Sequence, residues 1–157
     1  MIILGIDPAL TQTGWGVISS HKNTLSYIAS GTIKTNAADD LPTRLSHIHQ
    51  EIKKVIETYN PNEVAVEETF VNQNPMSSLK LGHARGVLIV SAAIFGLKIF
   101  EYSSTAVKKA VVGVGRAEKN QVGTMIKFLL PKSNPKTEDE ADALAIAICH
   151  NNNKSFN

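Results

Sequence analysis

Apolar positions in the first third of the chain fall in short runs, and later they recur every three or four residues. Ile2 to Ile6 is an apolar run ended by Asp7-Pro8, which predicts a buried strand stopped by the proline. Gly14 to Ser19 and Leu25 to Thr35 predict two more strands, close enough to form an antiparallel meander. From Asp40 to Tyr59, Leu41, Leu45, Ile48, Ile52, Val55, Ile56 and Tyr59 keep helical spacing up to Asn60-Pro61. Val64-Ala65-Val66 centres a strand over Glu63 to Glu67. Asn74-Pro75 reads as N-cap and first helical residue of a long helix to about Phe95. Leu97 to Tyr102 predicts a fifth strand, and Ser104 to Val111, Ala117 to Leu130 and Thr137 to His150 predict helices.

This order predicts an α/β fold: a five-stranded mixed sheet with helices on both faces. Strands one, four and five are joined through helices and so run parallel, with their carboxyl ends on one edge, where open α/β sheets place their sites. Asp7 and Glu67 end two of these strands.

The length, 157 residues, suits one domain, read as 1–150 with a frayed polar tail over 151–157. Hydrophobic residues are 43% and charged residues 19%, which excludes wholesale disorder. The single cysteine, Cys149, excludes an intrachain disulfide framework and a Cys-rich zinc site. The longest uncharged run, Gly86 to Leu97, is shorter than the ~20 residues of a spanning helix. With no basic, apolar leader at the start, the expectation is a cytoplasmic protein without membrane contact. Charge is uneven: Glu101 to Lys136 holds seven Lys/Arg against two Glu, a net +5 in a chain of net +2. A basic segment beside an acidic remainder suits a polyanion met near carboxylates, although a solvated helical surface would look the same.

The acidic residues sharpen this. Asp7 before proline fits a turn cap as well as a site. Glu67 and Glu68 point to opposite faces by strand alternation, and nothing local chooses between them. Thr137 and Glu140 match a capping box, and Asp139 suits the first turn of a helix. Asp142 does not; it sits among alanines that would let the helix press on a sheet, on the same face as Asp139. Carboxylates without a His or Cys cluster make a hard oxygen site, which selects Mg²⁺ or Mn²⁺ over zinc. Two such ions about 4 Å apart suit phosphodiester hydrolysis. In the helix from Asn74, Ser78, Gly82 and Gly86 recur on one face, and each interior glycine costs about 1 kcal/mol relative to Ala. Close approach of another helix would offset that.

Several stretches together resemble the RuvC family of Holliday-junction resolvases. They are Ile6-Asp7-Pro8 with Gly14-Trp15-Gly16-Val17-Ile18, Val66-Glu67-Glu68-Thr69-Phe70 and Ser78 to Gly86. Val107-Lys108, Val111 to Gly115, Ala117-Glu118-Lys119 and Asp139 to Ala147 continue the collinear match. The resemblance implies a ribonuclease H-like fold. It also implies a Mg²⁺-dependent endonuclease, with Mn²⁺ able to substitute and two ions per site, that acts as a homodimer on four-way DNA junctions. It maps the catalytic, metal-holding acids onto Asp7, Glu67, Asp139 and Asp142, and DNA contacts onto Lys108, Lys119 and Phe70, with Lys80 a further candidate. It assigns the glycine-bearing helix to the dimer contact, and a branch-migration helicase complex is implied by family alone.

Two positions depart from the family pattern. Ala9 replaces a glycine, which would cost roughly 1 kcal/mol if φ there were positive, and Gln73 stands where a lysine is expected. Two rival functions remain open from the residues. Gly5-Ile6-Asp7 with Thr11, Thr13 and Gly14 loosely resembles the first phosphate loop of actin-like nucleotide-binding proteins, but no second such motif follows. A junction-binding module without catalysis would use Lys108, Lys119 and Phe70 and leave the acids as caps.

Overall fold

The structure, a computed structural model, describes residues 1–22, 24–68, 73–113, 115 and 119–154, with Lys119 by its helical backbone alone. Its strands are β1 (Ile2–Asp7), β2 (Gln12–His21), β3 (Thr24–Lys34), β4 (Glu63–Glu67) and β5 (Lys98–Tyr102). They form one sheet in the order β3-β2-β1-β4-β5. The β1–β2 and β2–β3 pairs are antiparallel, and β4 runs parallel to both β1 and β5. β2 exceeds the span that periodicity predicts at both ends. Gln12 pairs with Lys34 and His21 with Thr24, so the ladder extends into polar flanks that carry no apolar signal.

The helices are α1 (Leu41–Tyr59), α2 (Pro75–Ile94), α3 (Ser104–Val112), α4 (Lys119–Leu129) and α5 (Glu138–Lys154). Short polar side chains cap the starts of α1, α2 and α3. Asp40 accepts from Thr43 N at 2.9 Å, Asn74 from Met76 N at 3.0 Å, and Ser103 from Ala106 N at 3.2 Å. Asn60 ends α1 in the left-handed region, φ 45°. None of the described helices is long and apolar enough to cross a membrane.

Strand alternation divides the core between two faces. Leu4, Ile6, Val17, Val64 and Val66 pack with α1 and α2. Ile3, Ile18 and Ala65 pack with α3, α4 and α5. The alanine-rich α5 lies directly on the backbone of β1: a Cβ on Gly5 would sit 2.1 Å from the Ala143 carbonyl oxygen. Only glycine lets the helix come this close.

Two expectations change. The polar residues 151–157 predict a frayed tail, yet α5 continues to Lys154. Asn152 donates to Ala110 O at 3.4 Å, and Lys154 pairs with Glu63, so tertiary contacts hold the last turn. Residues 155–157 lie outside the described residues. The capping box forms by half. Glu140 N donates to Thr137 Oγ1 at 3.2 Å, but the Glu140 carboxylate accepts from Ser30 Oγ on β3 at 2.8 Å. A long-range partner has displaced the local one.

Candidate active site

Asp7 and Glu67 leave the sheet side by side. Ile6 pairs with Val66 in the parallel β1–β4 register, so the next residues on the two strands are neighbours, about 5 Å apart at Cα. Both point toward α5. Asp7 shares its face with Ile3 and Gly5, and Glu67 shares its face with Ala65, which belongs to the α5 cluster. Glu68 continues the alternation and leaves by the other face. Its N–H donates to Tyr102 O at 2.9 Å.

The α5 acids approach from above the sheet. Gly14 pairs with Asp7 across the β1–β2 ladder. The Asp139 backbone rests on Gly14, and the Gln12 side-chain amide donates to the Asp139 carboxylate. One turn along α5, Asp142 lines a narrow cleft of about 140 Å³ with Glu67, Ser104 and Lys108. Asp142 also borders a wider groove of about 400 Å³, whose walls include Asn120, Thr124, Lys127 and Lys136. Asp7 and Glu67 thus stand at the adjoining carboxyl ends of β1 and β4, Asp142 lies across a cleft from Glu67, and Asp139 sits over Gly14; all four are half-buried.

Among the described residues, no three Asp, Glu, His or Cys side chains come close enough to form a finished metal cage. The donor set nevertheless fits a hard divalent cation, since its ligating atoms are carboxylate oxygens. Mg²⁺ retains waters and uses one or two carboxylates plus substrate phosphates, so an open acidic cluster beside a cleft suits it better than a closed one. The lone thiol offers nothing here. Burial pushes the Cys149 pKa up to about 11, against a hydrogen bond from Asn153 that lowers it. It stays protonated and is a poor nucleophile.

The DNA-contact candidates separate. Lys108, half-buried, shares the cleft with Glu67 and Asp142. Lys80 is exposed on α2, which packs on the other face of the sheet. Phe70 and the Lys119 side chain lie outside the described residues. Ala9 is unstrained: among described non-glycine residues only Lys22 and Asn60 have positive φ. Ala9 instead forms a tight turn with Thr13, whose hydroxyl donates to Ala9 O at 2.7 Å. Gln12 and Arg85 have no local signal in the sequence. Gln12 reaches an acid on a distant helix, and Arg85 donates from α2 to the Glu67 carbonyl at 3.1 Å.

Residues 3–150 match the protein family described as crossover junction endodeoxyribonuclease RuvC. A crossover junction endodeoxyribonuclease RuvC of Rhizobium leguminosarum is 50% identical over 155 residues, covering 99% of this chain and 92% of the relative. Its counterpart in Xanthobacter autotrophicus is 54% identical over 148 residues, covering 94% and 88%. Among solved structures, T. thermophilus RuvC in complex with a Holliday junction substrate superposes with a TM-score of 0.93. That match is 31% identical and covers 99% of this chain and 96% of the other.

Proposed function

This chain belongs to the RuvC family of crossover junction endodeoxyribonucleases, and we propose on that basis and from the acidic site how it resolves four-way DNA junctions. The fold is ribonuclease H-like. The chain is a structure-selective endonuclease that hydrolyses phosphodiester bonds in recombination and repair. The reading rests on one observation above all: Asp7 and Glu67 adjoin on parallel strands, with Asp142 across a cleft from Glu67.

In this proposal Asp7, Glu67, Asp139 and Asp142 hold Mg²⁺, two ions per site, with Mn²⁺ able to substitute. When bound, these ions supply Lewis-acid polarisation of the scissile phosphate and lower the pKa of an attacking water. The chain's own groups do the positioning. Gln12 fixes the Asp139 carboxylate by donating to one of its oxygens. Lys108, beside Glu67 and Asp142, holds the scissile strand by a phosphate. Lys127 and Lys136 extend that positive path along the groove past Asp142. Lys119 and Lys80 serve as further phosphate contacts, and Phe70 packs against bases exposed at the crossover. Selectivity then comes from junction shape more than from base edges.

Resolution needs two related cuts, and a two-fold homodimer supplies two identical centres. The outer face of α2 fits that contact. Met76, Leu79, Val90 and Ile94 are exposed there, and a Cβ at Gly82 or Gly86 would meet nothing within 4 Å. Residues 1–150 serve as one nuclease domain working in the cytoplasm, beside a branch-migration helicase complex.

The test is incubation with a synthetic four-way junction and with linear duplex, with and without Mg²⁺. Paired symmetric nicks in the junction alone, only with metal, are expected. Tight junction binding with no metal-dependent nicking would leave a binding module instead.

A further inference from the structure

The Asp7-Pro8 step leaves a gap in the sheet ladder, and Arg85 fills it. Glu68 donates its N–H to Tyr102 O at 2.9 Å, toward β5. Backbone groups of successive strand residues point to opposite sides, so the Glu67 carbonyl points away from β5 and toward β1. In the β1–β4 register, where Ile6 pairs with Val66, the N–H that would meet this carbonyl belongs to residue 8. That residue is Pro8, which has no N–H. The donor comes from the other face of the sheet: Arg85 Nε on α2 reaches the Glu67 oxygen at 3.1 Å. The far end of the same guanidinium is paired with Glu101 on β5, and the Arg85 side chain is only 17% exposed.

We propose that Arg85 is a positioning residue for the nuclease reaction, holding the last residue of β4 so that the Glu67 carboxylate stands beside Asp7. The proposal rests on the reading of Glu67 as a catalytic acid. A planar, permanently charged guanidinium suits this task because its donors are fixed relative to one another. One donor completes the ladder while another is anchored on the neighbouring strand. Neither lysine nor glutamine spans both acceptors with that geometry. A positioning error at the reacting centre is costly in rate even when the fold survives.

The test compares Arg85→Gln, Glu101→Gln and the double variant Arg85→Gln with Pro8→Ala, which restores a backbone N–H at the vacant rung. Four quantities are read for each: single-turnover junction cleavage at saturating Mg²⁺, junction Kd without metal, amide exchange at Glu68, and the thermal midpoint. Arg85→Gln is expected to slow cleavage by about tenfold to 100-fold. Kd should stay near wild type, the thermal midpoint should fall only as far as the lost hydrogen bonds require, with the protein folded at the assay temperature, and exchange at Glu68 should speed up. Adding Pro8→Ala should recover part of the rate and of the protection. Glu101→Gln keeps the contact to Glu67 and should stay within about threefold of wild type. A rate loss that merely follows the unfolded fraction overturns the proposal. So does a Glu101→Gln loss as large as that of Arg85→Gln. If the wild-type protein cleaves no junction, the nuclease reading fails by itself. The amide exchange then still decides whether Arg85 holds the end of β4, since unchanged exchange at Glu68 in Arg85→Gln would exclude it.

Discussion

Gly14 on β2 and Asp139 at the head of α5 meet backbone to backbone: a Cβ on Gly14 would lie 2.0 Å from the Asp139 carbonyl oxygen. Because Gly14 also pairs with Asp7, this contact sets how far the α5 acids stand from the strand-end acids. Gly14→Ala must push the head of α5 off the sheet. Overpacking of this kind costs about 1–3 kcal/mol, and displacement of Asp139 should slow cleavage by about 100-fold. Thermal unfolding together with single-turnover cleavage checks both. A variant with wild-type stability and rate would show that the contact does not set the site.

Asp139 and Glu140 are neighbours in sequence with opposite expected phenotypes. Glu140 is 6% exposed and accepts a hydrogen bond from Ser30 Oγ. Glu140→Ala removes the carboxylate acceptor of that hydroxyl, leaving it Tyr27 OH at 3.1 Å, and should cost about 1–3 kcal/mol of stability, with cleavage per folded molecule little changed. Asp139→Asn should do the reverse, abolishing cleavage with a small change in stability. Urea denaturation and cleavage measured on both proteins separate the roles. Matching phenotypes would contradict the assignment.

The same region shows what sequence alone conveys. The strand ends at Asp7 and Glu67 are legible because an apolar run stops at an acid in each case, and parallel pairing follows from the intervening helices. The choice of Glu67 over Glu68 is not local. It depends on Ala65 packing under α5, a contact between segments about eighty residues apart. The family resemblance supplies that choice; the residues by themselves do not. Gln12, Glu140 and Arg85 escape for the same reason. Each polar side chain answers a partner on another element, where neither periodicity nor capping rules reach. The last turn of α5 escapes because Lys154 is held by Glu63 rather than by propensity.

Glu63, at the start of β4, makes stability depend on acid. Burial pushes its carboxyl up, but hydrogen bonds from Lys154 and His150 outweigh this and hold its pKa below the ordinary 4.5. His150 Nε2 lies 2.8 Å from Glu63, while Tyr102 OH meets His150 Nδ1 at 2.8 Å. A carboxyl whose folded pKa is depressed stabilises above its unfolded pKa, and that contribution fades as pH falls through the folded value. Glu63→Gln should therefore cost about 1–3 kcal/mol at pH 7. The gap to wild type should narrow as pH drops below about 4.5. Urea denaturation at a series of pH values measures the gap. A gap independent of pH would contradict the role given to the ionised carboxylate.

Gly82 and Gly86 test the dimer. On a free helix surface, Gly82→Ala should stabilise by about 1 kcal/mol. At a close helix–helix contact the added methyl should instead weaken association. Leu79→Glu, at a position 53% exposed in the single chain, should give a folded monomer that no longer makes paired cuts. Sedimentation velocity and junction cleavage read both variants. A stabilised, still dimeric Gly82→Ala protein would move the interface away from α2.

The central claim is that Asp7 and Glu67, adjacent at the ends of parallel strands, act together on a phosphodiester. Single-turnover cleavage of a synthetic four-way junction by Asp7→Asn, Glu67→Gln and wild type, at equal junction occupancy and across an Mg²⁺ titration, tests it most directly. Metal-dependent cleavage by wild type alone is predicted, with both variants folded and still bound to the junction. Undiminished cleavage by either variant would contradict the claim.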